Sequence, residues 1–247
     1  MGIRRCKDKT KVWKCKHIQR IMRYNDFVHV MTNTRMNRYL LACNGNTRKA
    51  MTLYRKNLQL TQELFTVISC FEVALRNAID SAVSSSFGND WLSDSVAPDG
   101  IFDTQRCRLT RDNINDAINK LHTYSHCKLV AELGFGFWRY MFAQHQFNAT
   151  GRILLCVFPS KPKSSSSLQY NNTFVFNQLA QLNGIRNRMA HHEPICFIPG
   201  QSIRDTTYAR QHYNLILQLF QWMQIDESAL LYGLDHIHSV CNEIDNL

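Results

Sequence analysis

The chain has 247 residues, 45% of them hydrophobic and 19% charged, with 10 Gly and 5 Pro. This is globular composition; it excludes a disordered, collagen-like or linker-dominated chain, and the length suits one large domain or one plus an appendage. The formal net charge of +10 sits at one end: residues 1–60 hold 15 of the 29 Lys and Arg against Asp8 and Asp26, whereas residues 61–247 hold 14 against 17 Asp and Glu.

Residues 1–30 read as a basic arm. Arg4, Arg5, Lys7, Lys9, Lys11, Lys14, Lys16, Arg20 and Arg23 are interleaved with Trp13, Tyr24 and Phe27. Such a segment suits a phosphate backbone, because each cation can release a condensed counterion. A solvated tail with no partner is the alternative, and an extension upstream of a start at Met31 is a third. No apolar stretch of a secretory leader stands in the arm. No run approaches the ~18 apolar residues of a membrane span, so the expectation is a cytoplasmic protein with no membrane partner. The nine cysteines, at 6, 15, 43, 70, 107, 127, 156, 196 and 241, show no C-x-x-C pair. Most are expected to be small apolar core residues.

The chain then reads as helices. Thr34–Leu41 opens a short amphipathic segment, broken at Gly45-Asn46. Thr47 is the expected cap of a long helix to about Phe87, in which Leu60, Leu64, Val67, Ile68, Phe71, Leu75 and Ile79 recur at three- and four-residue steps. Gly88–Thr104 is expected to be loop. Residues 104–122 form a helix with Leu109, Ile114, Ala117, Ile118 and Leu121 on one face. Residues 126–146 form another, with Leu129, Leu133, Phe137, Tyr140 and Met141. Ser160–Ser167 is a surface loop. Phe174–His192 is a helix that must end before Pro194. Asp205 is the expected cap of 206–224 and Asp226 that of 227–245. No alternating strand pattern or fixed-period repeat is present, so the fold class is an all-α bundle.

Chemistry concentrates at the end of one helix, in Gly184-Ile-Arg-Asn-Arg-Met-Ala-His-His-Glu-Pro194. Arg186 and His191 are five residues apart, ~140° around the axis, so they do not share a stripe. Asn187 and His191 do share a face, as do Arg188 and His192. The negative end of the helix dipole attracts positive charge at this terminus. A histidine beside a fixed guanidinium suits phosphodiester cleavage, one group moving protons and the other stabilising charge on the phosphate. A solvated helix cap is the competing reading. A metal site through His191, His192 and Glu193 is disfavoured, because adjacent helical histidines diverge by ~100°. His122, His126 and Cys127, or Asp235, His236, His238 and Cys241, do not complete a four-ligand set either.

Arg186-Asn187-Arg188-Met189-Ala190-His191 resembles the R-x(4–6)-H signature of HEPN domains. Three blocks narrow the likeness to the Abi-like (abortive-infection) family. They are Phe71-Glu-Val-Ala-Leu-Arg-Asn-Ala-Ile79, Ala131-Glu-Leu-Gly-Phe-Gly-Phe-Trp-Arg-Tyr-Met-Phe142 and Ile185 through Ile195. Arg35–Leu41 and Leu53-Tyr54 also fit, and the resemblance covers roughly 31–225. It implies a HEPN-like helical bundle with additional helices, usually a homodimer with the two R-x(4)-H motifs facing each other. It further implies metal-independent RNA cleavage without a cofactor. On this chain His191 would be the general acid/base, Arg186 the transition-state clamp and Asn187 the orienting group. His192, Arg188, Glu193, Glu72, Arg76 and Asn77 would support the site or bind RNA. Glu72 and Arg76 have a second reading, an ion pair across one helical turn. Gly134 and Gly136 are expected to permit close helix packing. A phage-defence toxin of this kind would need restraint by an antitoxin or a regulatory non-coding RNA. The alternative function is a non-catalytic RNA-binding module.

Overall fold

The computed structural model describes residues 22–247. The basic arm up to residue 21 lies outside the described residues. Twelve α-helices run through the described part: α1 (Tyr24–Met31), α2 (Asn33–Ala42), α3 (Thr47–Phe87), α4 (Trp91–Val96), α5 (Arg108–Lys120), α6 (His126–Glu132), α7 (Phe135–Tyr140), α8 (Gln144–Ala149), α9 (Asn172–Ala190), α10 (Thr207–Trp222), α11 (Glu227–Leu230) and α12 (Ile237–Asp245). Two 3-10 turns, Gln105–Cys107 and Ile153–Val157, complete the list. The described residues contain no strand, only one isolated bridge between Phe197 and Arg204. The all-α expectation holds.

The organising element is α3. Leu53, Asn57, Leu60, Leu64, Val67, Ile68, Phe71, Leu75, Ile79 and Val83 form its buried stripe. That stripe packs against α1, α2, α4, α7, α9, α10 and α12. One window of α3 is long and apolar enough to cross a membrane by length and composition, but the stripe is spent on neighbouring helices. Burying Leu or Phe side chains of this kind is worth about 2 kcal/mol each, which makes α3 the spine of the core.

The cap of α3 is Asn46, whose side chain accepts from the Lys49 amide at 3.0 Å, rather than Thr47. An Asn side chain reaches an exposed amide of the first turn as well as a Thr hydroxyl, so a tandem Asn-Thr offers either. Among the described residues helix begins at Tyr24, ahead of the expected start near Met31. Phe27 is buried and packs edge-on to the Tyr54 ring at 5.4 Å. Part of the expected arm therefore belongs to the core.

Gly88–Thr104 is not all loop, because α4 buries Trp91 and Leu92. The Trp91 indole donates to Asp80 Oδ1 at 2.7 Å. Gly100 closes the turn after it; a Cβ there would stand 2.4 Å from the Asp94 carbonyl oxygen. The expected 126–146 helix is three helices. Trp138 is fully buried and its indole donates to the Leu133 carbonyl at 2.8 Å. A continuous helix would leave that carbonyl engaged and the indole without an acceptor. Gly134 and Gly136 do not mark close packing, since a Cβ on either meets nothing within 4 Å. Leu109 and Tyr140, expected on core faces, are 69% and 50% exposed. Asp226 caps only α11, and α12 is a separate helix. Asp205 Oδ1 accepts from the Thr207 amide at 2.6 Å, one residue ahead of the cap position of α10.

Candidate functional site

The R-x(4)-H segment closes α9. The His192 amide donates to the Met189 carbonyl at 2.9 Å and the Glu193 amide to the Arg188 carbonyl at 2.9 Å. With His192 at φ +57°, this is a Schellman cap. It takes the chain off the helix axis at His191 and leaves His191, His192 and Glu193 all exposed. A left-handed conformation at a non-glycine residue costs about 1 kcal/mol, so the cap must be held from outside.

Three groups hold it. Arg188 Nε donates to Glu193 Oε2 at 3.0 Å, and its Nη2 donates to the Pro194 carbonyl at 3.1 Å. The same guanidinium lies 4.7 Å from the centre of the Tyr208 ring on α10. Burial disfavours the charge on Arg188, but Tyr208 and Glu193 more than offset it, so its pKa is raised. From α2, Arg35 Nη1 donates to the His192 carbonyl at 2.9 Å. From α3, Asn57 accepts at Oδ1 from the Ile195 amide at 2.9 Å and the Cys196 amide at 3.3 Å. Asn57 is 3% exposed and sits within the apolar stripe.

A cleft of about 380 Å³ opens beside the cap. His191 and His192 form one wall; Arg35, Arg38 and Tyr39 form the other. Arg38 is positioned by the Gln201 and Ile198 carbonyls and lies 4.5 Å from the centre of the Phe197 ring. Burial, with lesser contributions from Cys196 and Tyr54, pushes the Tyr39 phenol well above its ordinary range. It therefore presents a neutral hydroxyl rather than an opposing charge. The cleft thus pairs an exposed imidazole with two fixed guanidiniums.

Arg186 faces elsewhere. Its Nε stands 3.8 Å from Glu72 Oε2 on α3, with the two side chains 34% and 19% exposed. That is an ion pair without a hydrogen bond, and the buried Arg186 Nε has no partner among the described residues. Arg76 Nε is likewise buried and unpartnered. No Glu72–Arg76 ion pair occurs among the described residues, so the turn-spanning pair is corrected: Glu72 turns toward α9. Asn77 and Asn187 are exposed. No hydrogen bond or ion pair links Arg186 to His191 within the described chain, in keeping with their divergence around the helix.

Among the described residues no group of three His, Cys, Asp or Glu side chains converges as a metal site. His126 Nε2 instead meets Asp80 Oδ1 at 2.7 Å, and His238 Nδ1 meets Arg210 at 3.2 Å. Of the described cysteines, Cys43, Cys107, Cys196 and Cys241 are buried and Cys127 and Cys156 exposed. Burial pushes the Cys196 thiol up to about 12.

Sequence reasoning missed Arg38 and Asn57 as parts of this region. Asn57 carried a signal, a lone amide on a core stripe between Leu53 and Leu60; Arg38 did not stand out from the basic N-terminal quarter.

The chain belongs to the Abi-like protein family, whose model matches residues 17–196. The match begins ahead of α1 and ends just past the cap, so α10–α12 lie beyond it. Membership associates the chain with abortive infection and phage defence. No curated protein and no solved structure matches the chain.

Proposed function

We propose that this Abi-like protein is a cytoplasmic RNA-cleaving effector of abortive infection. The observation that carries the reading is the exposed His191, set by a strained helix cap on a cleft walled by Arg35 and Arg38. An imidazole takes the proton of a ribose 2′-hydroxyl, and the 2′-oxygen bonds to the adjacent phosphorus. The P–O5′ bond breaks, and an imidazolium returns a proton to the 5′-oxygen. The products are a 2′,3′-cyclic phosphate and a 5′-hydroxyl. A fixed guanidinium stabilises the extra charge of the pentacovalent phosphorane.

Arg186 fits that clamp role in a homodimer of HEPN type. It cannot meet His191 on its own helix, but a second copy facing the first brings one chain's Arg186 side of α9 toward the other's His191. Asn187, on the His191 face, orients the imidazole or the phosphate. Glu72, 3.8 Å from Arg186 Nε, offsets part of its charge within the single chain.

The test is incubation of the purified protein with total RNA in EDTA, beside His191→Ala, with end-group analysis. Cleavage by wild type only, leaving 2′,3′-cyclic ends, supports the proposal. Cleavage retained by a folded His191→Ala protein refutes it. One observation favours the second reading, an RNA-binding module: Arg186 faces Glu72 rather than His191 in the single chain. RNA retention equal in wild type and variant, with no cleavage by either, selects that reading.

A further inference from the structure

A second cavity, of about 760 Å³, opens between the start of α5, α7 and the start of α8. It shares no lining residue with the His191 cleft, and its volume lies within the ~300–1,000 Å³ of ordinary ligand pockets. The two expectations that failed at core positions meet here, since the exposed Leu109 and Tyr140 both line it.

Each part of the pocket restricts what can fill it. The rim carries Arg106, Arg108 and His145, and no carboxylate lines it. Arg106 has no ion-pair partner among the described residues. Arg108 has only a 3.9 Å contact to Asp112, both side chains half exposed, which neutralises little. This cationic mouth lies in the part of the chain where acids outnumber bases. Its charge calls for an anion, and a planar guanidinium matches phosphate oxygens better than a point charge does.

The walls call for a flat apolar body. Phe137 is almost buried beneath, and Tyr140 is half exposed. The Tyr140 ring is held in place: the Arg139 guanidinium lies 4.7 Å from its centre and Phe176 packs edge-on at 5.5 Å. A fixed aromatic that still lines open space is a stacking platform. At the back, buried Gln146 donates through Nε2 to Thr110 Oγ1 at 2.8 Å. That bond orients the amide, and its Oε1 has no partner among the described residues. It is an acceptor suited to an N–H donor on a ring edge.

We propose that this pocket binds a nucleotide, the base stacked on Tyr140 over Phe137 and the phosphate between Arg106 and Arg108. The ligand is either a free nucleotide or a phosphorylated RNA end, which share this chemistry. The site is independent of whether His191 cleaves RNA.

Calorimetric titration of the full chain tests it, using AMP, GMP, CMP, UMP, inorganic phosphate and a 5′-phosphorylated tetranucleotide. At least one monophosphate should bind tenfold or more tightly than inorganic phosphate. Arg106→Ala combined with Arg108→Ala should weaken it about tenfold. Tyr140→Ala should weaken it by a similar factor through lost stacking. Gly136→Leu supplies an independent variant. A Cβ there meets nothing within 4 Å, so the added side chain should fill the pocket without disturbing the fold, which a thermal melt checks. It should abolish binding. A tetranucleotide that binds more tightly than any monophosphate, and loses that advantage in Gly136→Leu, assigns the ligand to RNA. Binding of monophosphates alone assigns it to a free nucleotide. No monophosphate binding, equal binding of inorganic phosphate, or binding unchanged by Gly136→Leu overturns the proposal. So does dimerisation that depends on Tyr140 without any nucleotide binding, which would give this face to a second copy.

Discussion

Replacing Asn57 by alanine should loosen the cap that presents His191. Asn57 Oδ1 is the acceptor for two buried amides, Ile195 at 2.9 Å and Cys196 at 3.3 Å. Removing it leaves both donors inside the core with no partner. Each such orphan costs about 1–3 kcal/mol, and the longer bond contributes the smaller share. Water entering the vacated space recovers part of the loss, so the expected destabilisation is about 2–4 kcal/mol. For a chain of this size each kilocalorie lowers Tm by about 2–4 °C, which gives a fall of roughly 5–15 °C. Asn77→Ala, at an exposed position of the same helix, is the control and should stay within about 0.5 kcal/mol. Urea denaturation measures both. RNA cleavage, corrected for the folded fraction, should also fall in Asn57→Ala, because the anchored segment starts four residues after His191. A loss of stability no larger than that of Asn77→Ala would show that Asn57 does not anchor the cap.

His192→Gly should stabilise the protein by about 1 kcal/mol in the same assay, since glycine relieves the φ of +57° while the carbonyl that Arg35 binds remains; a destabilisation would mean the imidazole makes a contact that outweighs the strain. Stability should fall on acidification near pH 6.5 through His212. Burial lowers its pKa, with Arg188 adding to the effect and the bond to the Tyr208 carbonyl opposing it. The unfolded chain therefore binds a proton below about pH 6.5 that the folded chain refuses, and stability drops with decreasing pH at no more than ~1.4 kcal/mol per unit. His212→Gln should flatten that part of the profile, and an unchanged slope would exclude His212 as its source. Arg186→Lys should lose most RNA cleavage while retaining the fold, because an ammonium cannot replace a planar fork; a near-wild-type rate would remove the clamp role.

The sequence made the helices legible where a stripe repeats without interruption. The run from Leu60 to Ile79 places α3 because each step of three or four residues returns to one face, and all seven residues named there are buried. It misled where tertiary hydrogen bonding overrides periodicity. Leu129 through Met141 keep a helical rhythm, but the buried Trp138 indole takes the Leu133 carbonyl and the helix breaks. Trp91 likewise pulls a turn-rich segment into α4 by its bond to Asp80. At the candidate site, the end of α9 was legible from Pro194 and from the angular arithmetic separating Arg186 and His191. The opposite wall was not. Arg35, Arg38 and Asn57 reach the cap across more than a hundred residues of sequence, and no local pattern encodes such a meeting.

The 41 residues of α3 are about 60 Å of helix, and they are made early while their neighbours are made late. During translation the stripe emerges long before α9, and about a hundred residues must follow Phe87 before the His191 cap exists. At ~5–20 residues per second that interval is roughly 5–20 s. Through it the ribosome carries an unsatisfied apolar spine and no assembled cleft. A chain released before residue 196 could not tie Cys196 to Asn57. The topology thus delays assembly of the His191 cleft until well after α3 has been made, and leaves the apolar stripe of prematurely terminated products for chaperones to cover.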